Sequence, residues 1–204
     1  FDGREGECPK SIMHCPTILD KPLLDGRLDE TAWSHTQSIE MKGHQDGDTT
    51  PPGRVSMFHD NQFLYIGITC PKVPGTSYVK TPDCPRPRDP DLSDRDRVDI
   101  MLDINRDYAT YYRLTIDHRG WVAESCWGDM TWNPKWFVAS SEDDKSWTVE
   151  AAIPIDQLTG GMPGYMTCWA AGVQRTMPGT GFQSWTEPAR TTVQPEGFGI
   201  LQFE

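Results

Sequence analysis

Apolar and polar residues alternate with a period of two along much of this chain. The stretch 54–60 (RVSMFHD) alternates up to a turn signal at Asp60 and Asn61, and 63–69 (FLYIGIT) resumes the pattern. Together they predict a β-hairpin. Further on, 97–103 (RVDIMLD) puts Val98, Ile100 and Leu102 on one face, and 111–117 (YYRLTID) does the same with Tyr112, Leu114 and Ile116. A turn at His118, Arg119 and Gly120 leads into 121–125, and later strands are predicted over 135–140, 146–153, 167–176 and 199–203. Helical signals are few. Asp29 is placed to cap a short turn over Glu30 to Trp33, just after the turn signal Asp25 and Gly26, and Ile155 to Leu158 makes one turn at most. Strands at hairpin spacing, with no long helical pattern between them, predict an all-β fold: an antiparallel β-sandwich of two sheets, jelly-roll or immunoglobulin-like. Residues 1–18 have little periodicity and are expected to be an irregular, disulfide-pinned lead-in, with 19–204 forming a single domain.

Composition narrows the function classes. The 204 residues carry 19 Lys and Arg against 30 Asp and Glu, a net charge of −11. That sign repels phosphate backbones and argues against nucleic-acid binding. No stretch approaches the ~20 apolar residues of a membrane span. Eight Trp, six Tyr and seven Phe supply a core and distinguish the chain from acidic disordered sequences. The first residue is Phe1, with no Met or signal segment before it, which suggests a mature product or a fragment of a larger exported protein.

The six cysteines, an even number without a C-x-x-C pair, point to disulfides in an oxidising compartment. The pairing expected from their spacing is Cys8 with Cys15, Cys70 with Cys84, and Cys126 with Cys168. Cys70 and Cys84 bracket a segment rich in proline; six prolines between 71 and 97 exclude a helix or central strand there, so a long surface loop is expected. Eight Asp lie from Asp83 to Asp107, interleaved with arginines. Such a loop offers the oxygen ligands a structural calcium needs, with Asp94 and Asp96 as candidates; the alternative is a solvated, self-neutralising salt-bridged loop.

No catalytic motif occurs: G-x-S-x-G, H-E-x-x-H, the P-loop and the dinucleotide fingerprint are all missing, and the five His are scattered. A non-catalytic protein is expected. The faces opposite the apolar stripes carry more information. They hold Asp99, Met101 and Asp103 on one strand, Tyr111, Arg113, Thr115 and Asp117 on the next, and Ala170, Gly172 and Gln174 on a third. If these strands are neighbours, one sheet face combines a carboxylate, a guanidinium, a hydroxyl and an amide. Sets of this kind bind neutral sugars when aromatic rings flank them. Trp127, Trp132 and Trp136 lie near predicted loops and are candidate rings; the same residues can instead be an ordinary solvated face with tryptophans plugging the sandwich.

Five segments, in order, are similar to family 9 carbohydrate-binding modules and their DOMON-like relatives: 24–33 (LDGRLDETAW), 59–66 with its HD and FLYI, 96–100 (DRVDI), 147–154 (WTVEAAIP), and 184–185 (SW) followed by 198–201 (FGIL). The resemblance spans roughly 19–204. It implies a β-sandwich, a non-catalytic glycan-binding role in a larger protein, and an extracellular, cell-surface or periplasmic location. Calcium ions occur in such modules. It matches Asp99 to the acidic hydrogen-bonding position and Gln174 to the glutamine of the late strand, and an arginine and an asparagine of the family fall on Thr115 and Asp117. Two family tryptophans that sandwich the terminal sugar fall where this chain has Ser93 and Val193 or Gln194, so a stacking ring here has to come from elsewhere, such as Trp127 or Trp132. The resulting ligand-binding set is Asp99, Gln174, Asp117, Thr115, Arg113, Trp127 and Trp132. Other relatives of the fold bind haem b through an axial Met, for which Met57, Met101, Met130 and Met177 are candidates. A structural or protein-interaction domain without sugar binding is the remaining alternative.

Overall fold

A computed structural model describes residues 10–43, 50–79 and 84–204. It is a β-sandwich, as the alternation predicts. Its strands are β1 (Ile12–Cys15), β2 (Ser38–Gly43), β3 (Gly53–His59), β4 (Phe63–Pro71), β5 (Arg97–Asp103), β6 (Tyr112–Asp117), β7 (Val122–Cys126), β8 (Phe137–Glu142), β9 (Ser146–Pro154), β10 (Cys168–Met177), β11 (Gly181–Ser184) and β12 (Gly199–Phe203). One sheet runs β7-β6-β5-β10, and β10 divides its second edge between β12 and β11. The other runs β2-β3-β4-β9-β8, and the pairing of β11 with β2 carries the chain from one layer into the other. The pairings are antiparallel except for β1, which lies parallel to β12.

That strand corrects the expected lead-in. Met13 and Cys15 are fully buried while Ile12 and His14 face outward, so 12–15 is part of the sandwich rather than an irregular arm. The short helix α1 (Thr31–Ser34) forms where expected, but Glu30 occupies the cap position and makes no side-chain cap bond, so Asp29 is not the cap. What holds α1 is tertiary. Glu150 of β9, wholly buried, accepts from the Trp33 indole at 2.9 Å and from the backbone N–H groups of Asp25 and Gly26 at 2.9 Å each.

The interior forms from the predicted faces. Val98, Ile100, Leu102, Leu114 and Ile116 meet Leu64, Ile66, Ile68, Trp147 and Val149 in one apolar cluster. Arg175 of β10 also points inward and is completely buried. Its Nε and Nη2 donate to the two oxygens of Asp96 at 2.8 and 2.6 Å, and Nη2 also donates to the Pro71 carbonyl. The same carboxylate accepts from Tyr78 Oη at 2.7 Å and from the Trp147 indole at 3.0 Å. Both oxygens of Asp96 are thereby engaged by protein donors. Asp94, by contrast, is an exposed residue paired with its neighbour Arg95 at 3.2 Å. The two aspartates do not fit the expected calcium ion: a carboxylate already neutralised by a guanidinium is a poor ligand for a hard cation. No group of three or more metal-ligating side chains occurs among the described residues.

The cysteine pairing needs correction as well. Cys15, Cys70, Cys84, Cys126 and Cys168 are free thiols, and Cys8 lies outside the described residues. Cys126 ends β7 and Cys168 begins β10, with β6 and β5 between them. Three strand spacings amount to ~14 Å, well beyond the Cα separation of ~4.4–6.8 Å that a disulfide requires. Cys70 is buried in the core while Cys84 is exposed on the loop, so this pair does not form either.

Two outcomes follow. Burial pushes the Cys70 thiol up to about 12 and raises Cys15 as well, the latter aided by the charge of Glu204. Iodoacetamide at pH 8 is expected to label Cys84 in the folded protein and to reach Cys15 and Cys70 only after unfolding, as read by mass spectrometry. Arg175→Ala leaves the Asp96 carboxylate buried without its cation and is expected to cost ~3–5 kcal/mol in urea unfolding.

Candidate functional site

The β10–β5–β6–β7 register lines up the outward residues in rows. One row is Gln174, Asp99, Thr115 and Ala123; the next is Gly172, Met101, Arg113 and Ser125. The three strands whose polar faces the sequence singled out are therefore neighbours. Arg113 leans along its strand toward Thr115 so that Nε and Nη2 both reach Asp99 Oδ1 at 2.9 Å, and Thr115 Oγ1 donates to the same oxygen at 2.6 Å. Arg97 approaches Oδ2 at 3.9 Å, an ion-pair distance rather than a hydrogen bond. Asp99 is 0% exposed and Gln174 3% exposed. Asp99 Oδ2 and Gln174 Nε2 have no hydrogen-bond partner among the described residues. A buried acceptor and a buried donor thus lie unfilled on adjacent strands in one row. Leaving each bare costs ~1–3 kcal/mol, so the arrangement is a place where a polar ligand atom gains more than it would at an ordinary surface.

Two kinds of space adjoin this row. Above Gln174, the segment after β11 folds over the sheet and leaves a void of about 10 Å³ lined by Ser184, Thr186, Gln194 and Phe198 among others. That is near the lower limit for one water-sized group. On the β6–β7 side lies an open groove of about 320 Å³, bordered by Ser93, Arg97, Arg113, Thr115, Ser125 and Met130. Glu124 and Asp89 lie in its wall. Burial, with Asp89 nearby, holds the Glu124 carboxyl above the usual carboxylate range.

Aromatic cover comes from Phe198 and Tyr111 rather than from the tryptophans that the sequence offered as rings. Phe198 sits over Gly172 and Met101, and Tyr111 meets it edge to face, 5.6 Å between centroids at 83°. The one available signal was Gly172 within an otherwise strong strand, a mark of close approach. Ser93 borders the open groove, Gln194 lines the small void and Val193 packs in the Phe198 cluster, so the two positions where the resemblance placed tryptophans flank the Asp99–Gln174 row from opposite sides.

The remaining predicted residues divide. Asp117 is drawn to the β6–β7 turn: Arg119 Nε donates to it at 2.7 Å, and the N–H groups of Arg119 and Trp121 donate to its other oxygen. It organises the turn and does not join the Asp99 set. Trp132 packs on Tyr112 with centroids 4.6 Å apart and is a plug for the core, not a ring over the site. Trp127, just past the end of β7, is 72% exposed. Of the methionines considered for haem, Met57 is in the core, Met101 lies beneath Phe198, Met177 is buried, and Met130 is at the groove rim. The first three are spent in packing.

Residues 24–203 match the family described as carbohydrate family 9 binding domain-like, and this chain belongs to that family. Modules of this kind are non-catalytic. Among solved structures, the chain is similar to a carbohydrate-binding module of family 9 from Caldicellulosiruptor kristjanssonii in complex with cellotriose, at 14% identity and a TM-score of 0.68, with 95% of this chain and 94% of that one covered. It is equally similar to the same organism's family 9 module in complex with glucose, at 14% identity and a TM-score of 0.68, covering 95% and 96%. At this identity the likeness is one of fold. No curated protein matches the chain. No helix among the described residues is long and apolar enough to cross a membrane.

Gly172 tests the cover directly. A Cβ there would stand 2.7 Å from the Phe198 ring and 2.9 Å from Met101 Cε. Gly172→Ala is expected to push Phe198 off the sheet and to lower stability by ~1–3 kcal/mol, seen as a reduced melting temperature.

Proposed function

We propose that this chain is a carbohydrate-binding module, part of a larger exported protein, that takes sugar hydroxyls on the row formed by Asp99 and Gln174 with Arg113 and Thr115 beside them. The observation that carries this reading is the unfilled pair of Asp99 Oδ2 and Gln174 Nε2. An ammonium group can only donate and a carboxylate can only accept, so neither fills both vacancies. A hydroxyl has both capacities, donating to a carboxylate and accepting from an amide. Asp99 is also largely neutralised by Arg113, so the row suits an uncharged ligand. The family, and the two modules held with cellotriose and glucose, make β-linked glucose the first ligand class to try.

Isothermal titration with glucose, cellobiose and longer cello-oligosaccharides, followed by a wider glycan panel, is the direct test. Saturable binding is expected, with Gln174→Ala and Asp99→Asn each weakening it ~10- to 100-fold, the worth of hydrogen bonds to a charged or buried group. Circular dichroism of the variants checks that the sheet is intact. A silent panel with a folded protein overturns the proposal and favours the protein-interaction alternative.

A further inference from the structure

We infer that the ligand of this site is a stretch of glycan chain several sugars long, laid across β6 and β7 from the Asp99–Gln174 row to a stacking platform at Trp127. The inference rests on the carbohydrate reading above and names the length and direction of its ligand. Three observations carry it. The first is the direction left open. Beyond Gln174 the chain after β11 covers the sheet and leaves only a void of about 10 Å³, whereas the groove of about 320 Å³ leads the other way, past Arg113, Thr115 and Ser125.

The second is Trp127 itself. Its N–H donates to the Tyr111 carbonyl at 2.9 Å, which continues the β6–β7 register by one more position. The turn that follows is closed by Cys126 and Asp129 and brings Met130 to the groove rim. Trp127 has φ of +50°, a conformation that bulky side chains rarely adopt. Its ring is 72% exposed, so folding recovers little from burying it. A strained backbone that presents an unburied indole two residues beyond Ser125, which borders the groove, has the character of a contact surface.

The third is distance. Counted over two strand spacings and four residues along the strand, Asp99 and Trp127 are roughly 16 Å apart, more than one sugar ring spans. Between them the Arg113 guanidinium, 35% exposed, and Ser125 offer donors along the path. One monosaccharide therefore fills the hydroxyl row and leaves Trp127 untouched, while a chain of sugars meets both.

Calorimetry with cello-oligosaccharides from glucose to cellohexaose, on the wild type and on Trp127→Ala and Trp127→Phe, tests this. Trp127→Ala is expected to weaken the longest oligosaccharides about tenfold more than glucose, the worth of covering one large apolar side chain. Trp127→Phe is expected to retain most of the long-chain affinity. The inference falls if affinity stops rising beyond the disaccharide, or if Trp127→Ala binds every length as the wild type does, while short sugars still bind and lose affinity in Gln174→Ala. If no sugar of any length binds, the carbohydrate reading fails and this inference fails with it.

Discussion

The buried pair of Arg175 and Asp96 is the constraint on which the outer polar face depends. β-strand pairing has a period of two, so a slip of one residue turns every side chain to the opposite face. On β10 such a slip would turn Gln174 into the core and expose Arg175. A guanidinium inside the sandwich is tolerable only where its partner waits, and Asp96 meets it with two short bonds just before β5 begins. Tyr78 and Trp147 complete the carboxylate from the loop and from the opposite sheet. The pair therefore locks the β5–β10 register, and that register is what sets Asp99 opposite Gln174 on the outer face. The polar machinery of the exterior is positioned by a polar contact in the interior.

A second buried carboxylate does similar work on the other layer. Glu150 gathers the turn at Asp25 and Gly26 together with the Trp33 indole, so the motifs at 24–33 and 147–154 are two halves of one contact. The segments at 96–100 and 147–154 are likewise joined, through Asp96 and Trp147. Much of the family resemblance is thus a record of two buried acids and their donors. It specifies how the sandwich closes and says less about what the outer face holds. The fold-bearing residues are kept in this chain, while the positions that the resemblance gives to two stacking tryptophans hold Ser93 and Val193 or Gln194.

What could be read from the sequence followed the same division. The long strands were legible because alternation persists over six or more residues, and the outward polar set Asp99, Arg113, Thr115 and Gln174 came with them. Strands β1 and β11, four residues each, and β2, which follows a short helix without a clear alternation of its own, were not. Asp96 read as a candidate calcium ligand or as one more charge in a solvated acidic loop because its partner, Arg175, lies 79 residues away in the chain. The tryptophans were ambiguous for a related reason: whether an indole plugs the core, as Trp132 does, or stands in solvent, as Trp127 does, is settled by packing between segments. Counting cysteines failed through the same gap, since an even number says nothing about the three strand spacings between Cys126 and Cys168.

The two oxygens of Asp99 are engaged unequally. Oδ1 takes the Arg113 and Thr115 donors, which fixes the plane of the carboxylate and offsets its charge, and this leaves Oδ2 oriented but unfilled. Little side-chain freedom remains to be lost when a ligand arrives, the general advantage of preorganisation. A sugar ring cannot enter a void of about 10 Å³ beside Gln174, but a single hydroxyl is near that size. On the carbohydrate reading proposed above, the row favours a small neutral group that both donates and accepts.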